Sequence, residues 1–268
     1  MIAQNRKQSR ERDPDRSRRG FRTLFVKEIR RYIKVMVQTV ATPVITALLY
    51  LVVFRQVLED RVEVYSGVGY SAFLIPGLIM MGMIQNAFAN SSSSLLQSKM
   101  NGNLVFLLLA PLSSMEIFFA FTAAAVTRGL AVGIGVLLAS LWFVDLPLRE
   151  PLWLLTFALV GCATLGALGI IAAIWSDGYD KLSAFSNFVI LPLSFLSGVF
   201  YSIHSLPPLW QKVSQFNPFF YLIDGFRYGF LADSDIDPWI SLAVSGGFLA
   251  AVSALCVLML VTGYKLRG

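Results

Sequence analysis

Side chains able to do chemistry are sparse in this chain, and each stands apart from the others. Arg128, in "AAAVTRGLAVGIGVLL", is the only charge well inside a long apolar run. Placing an arginine near the centre of a membrane helix costs about 2.5–3.5 kcal/mol, so it requires a carbonyl, a carboxylate or water as partner. No acid lies within a turn or two of it. A structural ion pair to a distant acid and a cation facing a transported molecule are both open. Gln85 and Asn86 raise the same question more mildly. Amides on an apolar helix face protein or a watery path, with interhelical hydrogen bonding as the default and path lining second.

Catalytic constellations are harder to find. "WSDGYDKLS" holds Asp177 and Asp180, but without supporting carboxylates the pair reads as a polar turn. One histidine, His204, argues against histidine-rich metal chemistry, and no Ser/His pair lies within the apolar runs. The phosphate loop G-x-x-x-x-G-K-[ST] is absent, so the chain is not expected to hydrolyse nucleotide by itself. Cys162 and Cys256 fall in apolar runs and read as small packing residues. No catalytic residue and no metal or cofactor bound by this chain is expected.

The elements that carry these residues are membrane spans. The chain is 56% hydrophobic and 14% charged, outside the usual range for a soluble domain. Crossing a hydrocarbon core takes about 20 apolar residues of helix. Six windows qualify, at about 35–54, 70–89, 117–144, 152–175, 184–201 and 240–261. The expected fold is therefore an all-α integral membrane protein. Twelve of the 22 lysines and arginines fall within residues 1–34, and Lys99, Lys181, Lys265 and Arg267 share that side. Opposite them, Arg55, Arg61, Arg149, Lys212 and Arg227 are diluted by Glu59, Asp60, Glu63, Asp233, Asp235 and Asp237. Positive flanks face the cytoplasm, which puts both termini there and agrees with an even number of spans. The same rule explains the basic N-terminus without nucleic acid.

Residues 1–20 read as a disordered basic tail. Residues 21–34, "FRTLFVKEIRRYIK", space Phe21, Leu24, Phe25 and Tyr32 at helical intervals and read as an amphipathic interface helix. Glu28, an acid among cations, suggests a specific partner. Residues 35–268 form the membrane domain. Within it, loop 91–113 contains the apolar run Leu104 to Ala110, too short to cross and closed by Pro111, which wants another helix or subunit to cover it.

Residues 206–230, "LPPLWQKVSQFNPFFYLIDGFRYGF", are apolar yet broken by Pro207, Pro208 and Pro218. Two short helices folded back into the outer leaflet would seat the aromatics at the interface. Irregular backbone is tolerated in a bilayer only when buried in protein or lining a cavity. A lid over a path fits that condition. Asp224 and Arg227 are three residues apart and can pair across one helical turn.

With "FLSGVFYSI", "LPPLW" and "NPFFYLIDGFRYGF" in view, the chain resembles the permease subunits of type-2 ATP-binding-cassette exporters (ABC-2), over nearly everything after residue 20. Pro218, Phe219, Tyr221 and Arg227 fit the family's C-terminal pattern; "KEIRRY" and "GNLVFLLLAPLS" are weaker supports. The resemblance implies six spans per chain, a pair of permeases and two copies of a cytosolic ATPase that holds ATP and Mg. It implies a coupling helix within loop 91–113, with Lys99, Gly102, Leu104, Val105, Leu108 and the Glu28 region meeting the ATPase. Val105 stands where many relatives carry a glutamate. It further implies that the hairpin 206–230, with Pro218, Phe219, Tyr221, Asp224 and Arg227, closes the outer end of the path. The site would be a bacterial inner membrane and the cargo a hydrophobic or lipid-linked molecule. A polysaccharide or lipo-oligosaccharide is the alternative. An ATP-independent channel or secondary transporter is the rival from another class, and it would favour titratable groups at the midplane and inverted repeats.

Overall fold

A computed structural model describes residues 14–59, 64–65, 67–110 and 112–265. Residues 1–13 of the expected tail lie outside the described residues, as do Asp60, Arg61, Glu63, Pro111 and Arg267. Among the described residues nearly all regular structure is helical, with no strand beyond one isolated bridge between Tyr65 and Val68.

Five helices are long and apolar enough to cross a membrane: α2 (Met36–Leu58), α3 (Tyr70–Met100), α5 (Ser114–Ser140), α6 (Pro151–Trp175) and α11 (Pro238–Thr262). Before them runs α1 (Pro14–Ile33), which begins well inside the stretch expected to be tail. Its Leu24, Glu28 and Tyr32, four residues apart, form one buried face packed against α5. Arg22, Lys27 and Arg30 stay exposed.

At the centre is α3. At 1.5 Å per residue its 31 residues reach about 46 Å, more than the hydrocarbon core needs. Its closest neighbour is α6, where Gly169, facing Phe88 and Ser91, lets the helices approach until Ser91 Oγ donates to the Gly166 carbonyl at 2.6 Å. Small residues allow this intimacy, and membrane helices use it in place of a hydrophobic drive. By contrast α2 is peripheral. Only Thr39, Ala47 and Leu51 of it are buried, while Val37, Ile45, Leu49 and Val53 stand exposed. A capping box starts α5, Ser113 Oγ accepting from the Glu116 amide at 3.1 Å and Glu116 Oε2 accepting from the Ser113 amide at 2.6 Å.

The span expected over 184–201 is not one continuous α-helix. It consists of α7 (Tyr179–Phe185), a π-helical turn (Ser186–Ile190) and α8 (Leu191–Phe195), after which the chain leaves the helix. Pro192 explains the break. It cannot donate to a carbonyl in the preceding turn, and the Leu191 amide reaches back five residues to Ser186. Gly198, at φ +74°, then turns the chain. From Tyr179 to Phe195 the run is about 25 Å long, a little short of the core.

Two short helices precede the last span, α9 (Pro208–Gln215) and α10 (Pro218–Leu231). Asn217 starts α10 by accepting from the Phe219 amide at 3.0 Å, and Pro218 occupies the first helical position where its missing N–H costs nothing. Between the second and third long helices lies α4 (Leu104–Leu109). It follows Gly102, whose φ of +71° makes the turn out of α3. The α1 and α4 end of the bundle also carries Lys99, Lys181 and Lys265 and is called the basic end below.

Candidate functional site

The functional residues fall at three levels along α3, and the geometry treats each level differently. At the basic end, Glu28 is fully buried. Arg31 Nε donates to it at 3.2 Å, one turn along α1, and Lys27 Nζ lies 3.7 Å away. The same Arg31 crosses to α3. Its Nη2 donates to the Asn90 carbonyl at 2.7 Å and to Asn90 Oδ1 at 2.9 Å, and its Nη1 to Ser93 Oγ at 3.2 Å. So α1 is bolted to α3 through charge-assisted bonds, the strong kind.

Nearby, Lys99 Nζ donates to the carbonyls of Ile174 at 3.1 Å and Ser176 at 2.9 Å. A cation there satisfies open carbonyls at the C-terminal end of α6 and offsets the negative end of its dipole. Asp177 receives Lys181 at 2.5 Å and lies 3.8 Å from Lys99. The Lys181 hydrogen bond holds its carboxyl below the usual carboxylate range. The turn expected from "WSDGYDKLS" is thus part of the same basic cluster.

Beyond Lys99 the chain presents α4. Leu104 is buried, while Val105, Phe106, Leu108 and Leu109 are 57%, 72%, 37% and 78% exposed. Gly102 sits in the turn before it with open space around it. These exposed apolar side chains lie at the basic end of the bundle.

The opposite end holds the aromatic hairpin. Its second helix, α10, runs antiparallel to α6: Gly229 lies against Leu154, Gly225 against the Phe157 ring, and Leu222 reaches Gly161. The Glu150 amide donates to the Gly229 carbonyl at 2.9 Å, so α10 ends level with the start of α6. Phe219 is buried, whereas Tyr221 is half-buried and donates to the Gln215 carbonyl at 2.9 Å, tying α10 back to α9.

Asp224 and Arg227 are both fully buried, and their closest nitrogen–oxygen distance is 3.9 Å. Each has better partners on other elements. Arg227 Nη2 donates to the Gly198 carbonyl at 2.7 Å and Nε to the Phe73 carbonyl at 3.3 Å, with the guanidinium 3.8 Å above the Phe73 ring. Asp224 accepts the amides of Asp235 at 2.9 Å and Ile236 at 3.1 Å. Burial pushes its carboxyl up to about 6, with Arg227 and those amides pulling the other way. The expected pair across a helical turn is therefore secondary to bonds that fasten α10 to α3 and to the following loop. Asp235 continues the network, accepting from Tyr65 at 2.9 Å, Ser202 at 2.6 Å and the Ile203 amide at 2.7 Å.

Midway, Arg128 of α5 donates from Nη2 to Asn86 Oδ1 at 3.3 Å, and Asn86 Nδ2 donates to the Gly82 carbonyl at 3.0 Å. Gln85 and Asn86 line a cavity of about 190 Å³ between α2 and α3.

Arg31, Ser93 and Asp235 are not singled out as site residues by the sequence. Arg31 was within reach, since it stands three residues after Glu28, the spacing already used for Asp224 and Arg227. The carbonyls that hold Arg227 leave no trace in side-chain identity. Among the described residues no cluster of three or more His, Cys, Asp or Glu could hold a metal, and both cysteines are free and buried.

A packed bundle of long apolar helices, with its polar groups turned inward and bare apolar side chains outward, defines a multi-pass membrane protein. The family model for the ABC-2 type transporter matches residues 19–231. The chain is 38% identical over 251 residues to the inner membrane transport permease YadH of Escherichia coli (strain K12), covering 93% of this chain and 97% of that one. It is 26% identical over 196 residues to nodulation protein J of Sinorhizobium fredii (strain NBRC 101917 / NGR234), covering 72% and 70%. A third relative, the probable multidrug ABC transporter permease YbhR of E. coli (strain K12), is 26% identical over 176 residues, covering 65% and 48%. The chain belongs to the ABC-2 type transporter family and is a membrane-embedded permease chain of it.

Proposed function

We propose that this chain is the membrane subunit of an ATP-driven exporter of a hydrophobic or lipid-linked molecule, placed in the inner membrane with its basic end and both termini in the cytoplasm. The observation that carries the reading is α4, a short helix at the basic end whose Phe106 and Leu109 are 72% and 78% exposed in a chain of this family. Neither water nor hydrocarbon suits that helix: the basic rim around it belongs outside the hydrocarbon, and its apolar side chains do not belong in water. A separate cytosolic ATPase, holding ATP and Mg, would cover it.

In this reading α7, the π turn and α8 together make the sixth crossing, and α9 and α10 are the re-entrant hairpin. Two permease chains pair, with two ATPase copies beneath. ATP-driven closure of the ATPases moves α4 and α1, the bundle tilts, and the hairpin yields. A conformational change of this kind needs only differential contact with the nucleotide-bound partner, so the permease itself needs no catalytic residue. The name of the relative YbhR, a probable multidrug ABC transporter permease, agrees with an apolar cargo.

The test is reconstitution. The permease is co-purified with the ATPase encoded beside it, then placed in proteoliposomes and supplied with ATP and Mg. ATP-dependent movement of cargo is the expected result. Failure of every adjacent ATPase to bind, with normal export in its absence, would leave the channel or secondary-transporter reading in its place.

A further inference from the structure

The outward side of α1 holds cations that answer to nothing in the protein. Arg22, Lys27 and Arg30 are exposed and fall within about 140° of arc around the helix. Lys34, also exposed, follows just past its end. Leu24, Glu28 and Tyr32 turn the other way, into the bundle. Among the described residues Arg22, Arg30 and Lys34 enter no ion pair, and Lys27 comes no closer than 3.7 Å to Glu28. Glu28 is also the only acid between Gly20 and Leu58, and Arg31 already holds it. With Thr23 and Val26, the cations Arg22, Lys27 and Arg30 line a shallow, open hollow of about 540 Å³. Its only charges are positive.

Two kinds of partner carry the opposite charge, an acidic protein surface and the headgroups of anionic lipids. Position favours the lipid. Ile33 and Val37, which bracket Lys34, are 52% and 84% exposed. They lead into α2, the least buried of the five long helices. The cations therefore stand where bare apolar surface begins, which is the order of headgroup and acyl chain in a phospholipid. Lysine and arginine beside a span reach their charge to headgroups while their stems lie on apolar surface. Basic segments next to a span draw anionic lipid. The exposed side chains of α4 make the contrast, being apolar with no cation among them; that is the surface the exporter reading gives to a protein partner.

We infer that the outward side of α1 binds the headgroups of anionic phospholipids, with Arg22 and Arg30 meeting phosphate oxygens at the hollow and Lys34 holding the lipid against the start of α2. A lipid there requires only the membrane placement of the long helices, neither an ATPase nor a cargo.

The test uses the full chain in detergent micelles, with lipid retention read by native mass spectrometry. The probes are phosphatidylglycerol, phosphatidylcholine and inorganic phosphate. Wild type is expected to retain phosphatidylglycerol over phosphatidylcholine. Each exposed cation is worth about five-fold in that preference, so Arg22→Gln with Arg30→Gln should lower it by about ten-fold or more, and Lys34→Gln by about five-fold. Lys181→Gln with Lys265→Gln removes two cations from the same end of the bundle and should leave most of it. Raising the ionic strength from about 0.05 M to about 0.5 M should weaken it, because exposed charges are screened. Unchanged preference in the folded α1 double variant, or an equal loss in the Lys181 and Lys265 pair, overturns the assignment. Should the α1 double variant fail to fold, Lys34→Gln and the salt dependence decide, and a preference that neither lowers overturns it. Displacement of phosphatidylglycerol by inorganic phosphate at comparable concentration gives the hollow to soluble anions and overturns the lipid. Loss of ATPase co-purification in the α1 double variant, with the lipid preference intact, gives the face to the protein partner and overturns the lipid as well.

Discussion

Arg227 is the residue whose removal the structure prices most clearly. Arg227→Met keeps much of the side chain's length and apolar stem while deleting the charge and both bonds, to the Gly198 carbonyl at 2.7 Å and the Phe73 carbonyl at 3.3 Å. It also leaves Asp224, fully buried, without the one cation paired to it among the described residues. Removing one partner of a buried ion pair costs about 3–5 kcal/mol. The low end applies here, because Asp224 keeps the amides of Asp235 and Ile236. At about 2–4 °C per kcal/mol for a chain of this size, 3 kcal/mol lowers Tm by roughly 6–12 °C. The protein carries its own reporter: Cys162 and Cys256 are free and buried, so a thiol-reactive dye in detergent follows unfolding. Asp224→Asn, which keeps an acceptor for one of the amides, should shift Tm less. A Tm for Arg227→Met within about 2 °C of wild type would refute the reasoning, for it would mean the guanidinium does not hold α10 to α3.

Three further outcomes are expected. Phe106→Asp with Leu109→Asp should leave Tm unchanged and abolish co-purification with the ATPase, since burying each side chain is worth about 1.5–3 kcal/mol; binding at wild-type strength would remove α4 from the interface. Gly225→Ala should destabilise by about 1–3 kcal/mol, because a Cβ there would stand 2.1 Å from Phe157 Cζ, and Phe157→Leu should restore part of the loss in the same dye assay. Lys99→Ala should cost about 1 kcal/mol through the uncapped carbonyls at the end of α6, read as a small Tm shift; Lys99→Arg should recover it.

Five expected spans match long apolar helices, four of them to within four residues at each end, whereas α3 runs eleven residues beyond the expected end at 89; the cost of burying a polar backbone in lipid writes itself into long apolar runs. The run over 184–201 folds as short pieces, not as one long helix, for a physical reason. Hydropathy registers side chains, whereas Pro192 and Gly198 break the helix through the backbone. The prolines of 206–230 were legible for the opposite reason, as they fall where short helices must start. At the site, sequence spacing found Asp224 and Arg227 but not their partners. A carbonyl on Phe73 or Gly198 looks the same under any side chain. The Arg31 to Asn90 link joins residues 59 apart in the chain, which no local pattern encodes.

The length of α3 has a mechanical consequence. One helix, Pro76 included, carries α4 just beyond its basic end and the Phe73 carbonyl that seats Arg227 near the other. One close lateral contact between its ends is Ser91, which donates to the Gly166 carbonyl and lies against Gly169. Measured along the helix, Ser91 is about 14 Å from Met100 and about 27 Å from Phe73. A rod held at that point is an unequal lever. A push of 1 Å at the basic end would swing the Arg227 seat by roughly 2 Å, enough to carry a 2.7 Å hydrogen bond out of bonding range.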